Sequence, residues 1–109
     1  MATTYKVLGQ SAPSATTDTT LYTVPAATST VVSTIVVANR DSTSATFRIA
    51  IRPAGAALAN QHYVAFDCSV GANDSTALTL GLTLAATDVI TVRASSANLS
   101  FNAYGSELS

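Results

Sequence analysis

The chain has 109 residues, of which Ala, Thr and Ser supply 50, while five residues are Lys or Arg and six are Asp or Glu. One domain over residues 1–109 is expected, because single domains cluster near 100–150 residues. The one Cys excludes an intramolecular disulfide framework and a metal site built on several thiolates. A net charge of −1 gives neither a basic footprint for nucleic acid nor a polybasic patch for a membrane.

The opening residues, MATTYKVLGQ, lack the apolar core of a secretory signal peptide. No stretch approaches the ~20 apolar residues that a membrane-spanning helix needs. We therefore expect a protein made in a cytoplasm and not exported by the secretory route. Neither a membrane nor a nucleic acid is expected as its partner.

Apolar and polar residues alternate with a period of two through much of the chain, as in half-buried β-strands. Turn residues, as in 25–28 and 71–74, separate these runs. The Ser- and Thr-rich segment 9–20 is predicted as a long loop or an extended arm, and 54–60 has room for one helical turn. The predicted strands, about eight, are 5–9, 20–24, 30–38, 45–52, 62–68, 76–84, 88–95 and 98–104.

Short strands at this spacing predict an all-β fold, a two-sheet antiparallel sandwich of jelly-roll or immunoglobulin-like type. The alternation also predicts which side chains face inwards. Cys68 shares the inward parity of its strand with Val64 and Phe66, so it is predicted to be buried and unreactive. The predicted core comprises Phe47, Ile49, Ile51, Phe66, Leu78, Leu80, Leu82, Ile90, Val92 and Phe101.

Candidate catalytic groups are few. His62 and Cys68 are six residues apart on one predicted strand, which separates them by about 20 Å and prevents a thiolate–imidazole pair. Asp67, Asp74 and Asp88 are oxygen ligands for a hard cation in one interpretation and turn caps in the other. We expect no enzyme activity, no cofactor and no metal.

Candidate partner contacts lie on the outward strand positions. Arg48, Arg52 and Arg93 point outwards in the predicted strands, either as contacts to a partner or as solvated arginines. Tyr63 and Tyr104 have the same outward parity, where an exposed aromatic ring often meets a partner. Interface cores are depleted in Lys, Glu and Asp, so the sparse charge favours a protein that lives in an assembly, although a plain small β-domain fits as well.

Several segments resemble small virion proteins of tailed bacteriophages. They are YKVLGQ at 5–10, LYTVPAAT at 21–28, VVSTIVVANR at 31–40, LGLTLAATDVITVRAS at 80–95 and LSFNAYGSE at 99–107. The resemblance extends from Tyr5 to Glu107 and brings no catalytic residues with it. It implies a structural protein of the virion, either a capsid decoration (cement) protein or an accessory tail, fibre or baseplate protein.

Two functions follow as expectations. In the first, the protein binds the outside of a phage head and stabilises junctions between subunits of the major capsid protein. In the second, it is a tail-associated protein that recognises a host surface glycan through its tyrosines and arginines. Other virion proteins are the expected partners in both cases, and self-association is expected, either as a closed cyclic trimer or as neighbours held by the capsid lattice.

Overall fold

The computed structural model describes residues 2–109 and contains nine β-strands and no α-helix. Two single 3-10 turns, Pro53–Gly55 and Asn60–His62, occupy the connection predicted to hold a helical turn. The strands are β1 (Thr3–Ser11), β2 (Thr19–Thr23), β3 (Ser29–Asn39), β4 (Ala45–Arg52), β5 (Tyr63–Val70), β6 (Ser75–Leu78), β7 (Leu82–Leu84), β8 (Val89–Ala94) and β9 (Leu99–Leu108).

The strands form two antiparallel sheets that pack face to face. The five-stranded sheet has the order β1-β9-β3-β6, with β7 paired to β3 beside β6, and the four-stranded sheet has the order β2-β8-β4-β5. Strands therefore pair in reverse order along the chain: β1 with β9, β2 with β8, β3 with β6 and β7, and β4 with β5. A long hairpin wound up in this way is a jelly roll. The all-β sandwich is confirmed, and of its two predicted types the strand order selects the jelly roll.

The core lies between the sheets, where inward positions of both meet. Phe47 of β4 and Phe101 of β9 are at most 2% exposed and meet edge to face, with ring centroids 6.2 Å apart. Five predicted core residues are buried as expected, and three others are half-buried against the core. The buried ones are Phe47, Ile49, Ile90, Val92 and Phe101, and the half-buried ones are Ile51, Leu78 and Leu82.

Two predicted core residues are wrong. Phe66 is 53% exposed and Leu80 is 43% exposed. Phe66 lies in a β-bulge of β5, so before the bulge Ala65 points inwards in place of Val64 and Phe66, which are both exposed. After the bulge Val70 is buried, in agreement with the predicted parity. Leu80 lies in a break at residues 79–81 that divides the predicted strand 76–84 into β6 and β7, and Gly81 there has a φ of +65°.

The predicted loop at 9–20 is shorter than expected and is held against the domain. β1 continues through Ser11 and β2 starts at Thr19, so residues 12–18 form the connection. The backbone N–H of Thr16 donates to the carbonyl of Ala94 at 2.7 Å, and Pro13 is buried. The connection crosses from one sheet to the other and does not extend as an arm.

Candidate binding surfaces

The bulge in β5 creates a charged and aromatic cluster on the outer face of the four-stranded sheet. Phe47 is paired with Cys68 and Ile49 with Ala65, so the two residues 66 and 67 lie opposite the single residue Arg48. Asp67 takes the extra position with a φ of +51°, a left-handed conformation that Asp tolerates better than most residues. The bulge therefore aims Asp67 at Arg48, whose outward position was predicted from the sequence.

Arg48 makes a two-pronged ion pair and covers an aromatic ring. Its Nε lies 2.7 Å from Oδ1 of Asp67, and its Nη2 lies 3.3 Å from Oδ2. The guanidinium carbon is 4.1 Å from the ring centroid of Phe66, and Tyr63 meets that ring edge-on at 4.9 Å. Hydrogen bonding from Arg48 lowers the pKa of Asp67 and raises that of Arg48, so both groups stay charged. Tyr63 thus lies beside Arg48, as a half-buried member of one cluster.

A concave cavity of about 310 Å³ opens beside this ion pair. Arg48 on β4 is paired directly with Arg93 on β8, so two guanidinium groups stand side by side on the outer face. Arg93 is closest to Asp18, with 3.7 Å between Nη1 and Oδ1, which is longer than a hydrogen bond. The polar residues that line the cavity are Thr16, Thr46, Arg48, Asp67, Arg93 and Ser95.

Arg52, the third predicted arginine, is engaged within the chain. Its Nε donates to the carbonyl of Ala56 at 2.6 Å, and its Nη2 donates to that of Gly55 at 3.0 Å. Its Nη1 reaches the Thr91 hydroxyl at 3.3 Å. These bonds fix the connection after β4, so the structure gives Arg52 a bracing role at the far end of the sheet from the cavity.

Tyr104 lies on the opposite side of the molecule, in an apolar patch on the outer face of the five-stranded sheet. Tyr5 (83% exposed) and Val31 are both paired with Ser106, and Val7 is paired with Tyr104 (38% exposed) in the next row. Paired residues in a sheet present their side chains on the same face. We call Tyr5, Val7, Val31 and Tyr104 the outer patch. Their cross-strand neighbours Ser106, Thr34 and Thr83 are uncharged.

Beneath the outer patch, the inward face of the same strands holds a polar network. The hydroxyl of Tyr22 donates to Oε2 of Glu107 and lies 2.8 Å from the hydroxyl of Thr30, which is fully buried. Nζ of Lys6 donates to Oε1 of Glu107 at 3.2 Å. Burial, and then the Glu107 carboxylate, raise the pKa of Tyr22 to about 12. The hydrogen bond from Tyr22 lowers the pKa of Glu107.

The remaining candidate groups have structural roles. Asp74 accepts a hydrogen bond from the Ser75 N–H, and Asp88 accepts from the N–H groups of Ala54 and Ala85, which confirms them as turn caps. His62 is buried, with Nδ1 accepting from the Ala59 N–H at 3.1 Å. Cys68 is half-buried, so its predicted burial is only partly correct.

Residues 2–109 contain no group of three or more His, Cys, Asp or Glu side chains placed to hold a metal ion. Within the same range, no helix has the length and apolar character needed to cross a membrane.

The sequence predicted Arg48, Arg93, Tyr63 and Tyr104 as outward residues but did not indicate their neighbours. Asp67 and Phe66 join Arg48 only because of the bulge, and alternation alone carries no signal for it. Asp18 and Thr16 approach Arg93 through the connection before β2, where sequence spacing predicts no contact. No family model, no curated protein and no solved structure matches the chain.

Proposed function

We propose that the protein is a non-enzymatic structural protein of a virion, which decorates the outside of a phage head and stabilises junctions between capsid subunits. The resemblance of residues 5–107 to small phage virion proteins motivates the proposal. The outer patch is the observation that carries it. Four large apolar or aromatic side chains lie exposed together on one sheet face, and uncharged Ser and Thr surround them.

An exposed patch of this kind fits a protein partner better than a charged ligand. Interface cores are enriched in Tyr and depleted in Lys, Glu and Asp. The Lys6 and Glu107 side chains belong to strands that carry the outer patch, but their positions have the opposite parity and they pair with each other, with Lys6 44% exposed. Contact through the patch therefore requires little removal of water from charges, and moderate salt should leave the binding intact.

The stabilisation of the assembled shell follows from mass action. A protein that binds only the assembled lattice stabilises that state by RT ln(1 + [L]/Kd), about 2.7 kcal/mol per site at a hundredfold excess over Kd. Repeated over many junctions, this modest term becomes large for the whole shell. The major capsid protein is the partner that this proposal names.

Self-association of the decorating copies, as a trimer, belongs to the same proposal. An uncovered strand edge invites pairing with another chain. β6 and β7 are short, and β5 carries a bulge with a charged residue, so three edge segments are protected. β1 offers the longest edge, Thr3–Ser11, and it borders the outer patch.

The test uses purified particles of the virus that encodes this chain, prepared with and without the protein and heated at several salt concentrations. We expect the depleted particles to release DNA at a lower temperature. When the protein is added back to depleted particles, we expect the Tyr104→Lys variant not to bind. Val64→Lys, an exposed position on the four-stranded sheet, is the matched control and should still bind.

The result that would overturn the proposal is an equal DNA-release temperature with and without the protein. Copy number then separates the head from the tail. Hundreds of copies per particle, measured by gel densitometry, agree with decoration of the head, whereas tens of copies indicate an accessory tail protein.

A further inference from the structure

The cavity beside the Arg48–Asp67 pair holds a guanidinium group with unused donors. Among residues 2–109, the Arg93 side chain makes no hydrogen bond, and its closest acidic neighbour, Asp18, stays 3.7 Å away. About one third of the Arg93 side chain is exposed. Guanidinium binds a carboxylate through two parallel N–H···O bonds, and the free fork of Arg93 is available for such a bond.

On the other side of the cavity, the Asp67 carboxylate requires hydrogen-bond donors from a ligand. Each carboxylate oxygen of Asp67 takes one bond from Arg48, and each retains capacity to accept another. A simple anion bound to Arg93 would meet repulsion from Asp67. A ligand that presents a carboxylate to Arg93 and hydroxyl donors to Asp67 satisfies both walls.

The remaining lining groups suit the same ligand. Thr16, Thr46 and Ser95 contribute hydroxyl or backbone groups around the cavity. A volume of about 310 Å³ is at the lower end of the range for small-molecule sites. The charged residues of the lining are Arg48, Arg93 and Asp67, which give it a net charge of +1 and therefore favour a ligand with one negative charge.

We propose that this cavity binds an acidic sugar unit of the uronic acid class, with its carboxylate on Arg93 and its ring hydroxyls on Asp67. Arg48 positions Asp67 through the two-pronged pair, and Asp18 leaves Arg93 when the ligand enters. The site lies on the four-stranded sheet, away from the outer patch, so it is independent of the proposed decoration of a capsid.

The experiment titrates the free protein with glucuronate and with galacturonate, following Arg side-chain and backbone amide shifts by NMR. We expect saturable shifts at Arg93 and around Asp67 with at least one of the two. Glucose at the same concentrations should bind at least tenfold more weakly, because it lacks the carboxylate. Arg93→Lys keeps the charge but loses the fork, and we expect about tenfold weaker binding, equivalent to about 1.4 kcal/mol.

Arg93→Gln removes the charge as well as the two-pronged donor, and it should abolish binding. Arg40→Gln is its matched control, since it removes the same charge from an arginine that donates to Ser100 and Ala97 outside the cavity. It should bind the uronate as the unchanged protein does. The proposal is overturned if neither uronate gives saturable shifts, or if folded Arg93→Gln binds as well as the unchanged protein. Equal binding of acetate would also overturn it, because the carboxylate alone would then be recognised and the hydroxyl contacts to Asp67 would contribute nothing.

Discussion

Replacing Tyr22 by Phe removes one hydroxyl from the polar network under the outer patch and keeps the aromatic ring that packs in the core. The hydroxyl donates to the Glu107 carboxylate and lies 2.8 Å from the fully buried hydroxyl of Thr30. The substitution therefore takes a donor from a charged group and leaves the Thr30 hydroxyl without its side-chain partner. Among residues 2–109, Lys6 then remains as the only side-chain donor to Glu107.

The magnitude follows from these two losses. A hydrogen bond to a charged group contributes about 1.5–3 kcal/mol, and an unsatisfied buried hydroxyl adds a penalty of similar order. Because both losses share one hydroxyl, we expect a decrease of about 2–3 kcal/mol in the free energy of unfolding. For a domain of about this size the corresponding decrease in Tm is about 10 °C.

The pH dependence makes the expectation specific. Glu107 has a folded-state pKa below its ordinary value of 4.5, so its contribution is present above pH 4.5 and is lost as the pH falls through the lower value. Tyr22 has a pKa raised from 10 to about 12, so its contribution is present below pH 10 and is lost as the pH rises towards 12. The stability difference between the unchanged protein and Tyr22→Phe should therefore be largest between about pH 5 and 10.

The assay is urea unfolding followed by circular dichroism at several pH values. Tyr104→Phe is the matched control, because its hydroxyl makes no hydrogen bond within residues 2–109 and the residue is 38% exposed. It should change stability by less than about 0.5 kcal/mol. The reasoning is refuted if Tyr22→Phe costs no more than Tyr104→Phe, or if its cost is the same at pH 3 and pH 7.

Three further predictions use the same unfolding and labelling measurements. Phe47→Ala should cost about 3–5 kcal/mol, whereas Phe66→Ala should cost about 1 kcal/mol or less, and equal costs would contradict the exposed position of Phe66. Gly105→Ala should lower stability by at least about 1–3 kcal/mol, because its Cβ would lie 2.0 Å from the carbonyl oxygen of Val31, and an unchanged urea midpoint would exclude that close approach. Half-buried Cys68 should react with a thiol reagent in the native protein, but more slowly than free cysteine, and a need for denaturant would indicate full burial.

The fold class and the centre of the core could be predicted because period-two alternation is strict where strands run without interruption. In β4, β8 and β9, the inward residues Phe47, Ile49, Ile90, Val92 and Phe101 follow the alternation without a break. Burial of one face fixes which residues point inwards, so the sequence carries that information directly. The strand order needed the structure, because alternation does not tell which strands pair.

The wrong core predictions, Phe66 and Leu80, occur where a β-bulge inserts one residue or where a strand breaks. From Tyr63 to Val70, either parity places apolar side chains inwards in part of the strand, and only the bulge at Phe66 and Asp67 decides between them. Between Leu78 and Leu82 the alternation of leucines continues through Gly81, although the backbone leaves the sheet. Local sequence does not report either event, since both depend on the partner strand.

The candidate sites were predictable only one residue at a time. Arg48 and Arg93 are outward in their own strands, but their side-by-side position comes from the pairing of β4 with β8. The bond between Tyr22 and Glu107 joins residues that are 85 positions apart. Contacts at such separations are set by topology, and the alternation within each strand carries no information on them.

Pairing in reverse order also constrains how the chain reaches its native state during synthesis. β9 lies between β1 and β3 and provides the hydrogen-bonding partners of both, from Thr3 opposite Leu108 to Asn39 opposite Leu99. When only the first half of the chain has emerged from the ribosome, its strands β1 to β4 therefore lack the strands with which they pair. Pairings of this kind form slowly, because long loops must close before any contact stabilises them. β6 and β7 pair with one edge of the Val-rich strand β3, but the edge that β9 covers stays unpaired until the end of the chain is made. Nascent copies made close together on one messenger RNA therefore have time to associate through this edge before β9 is inserted.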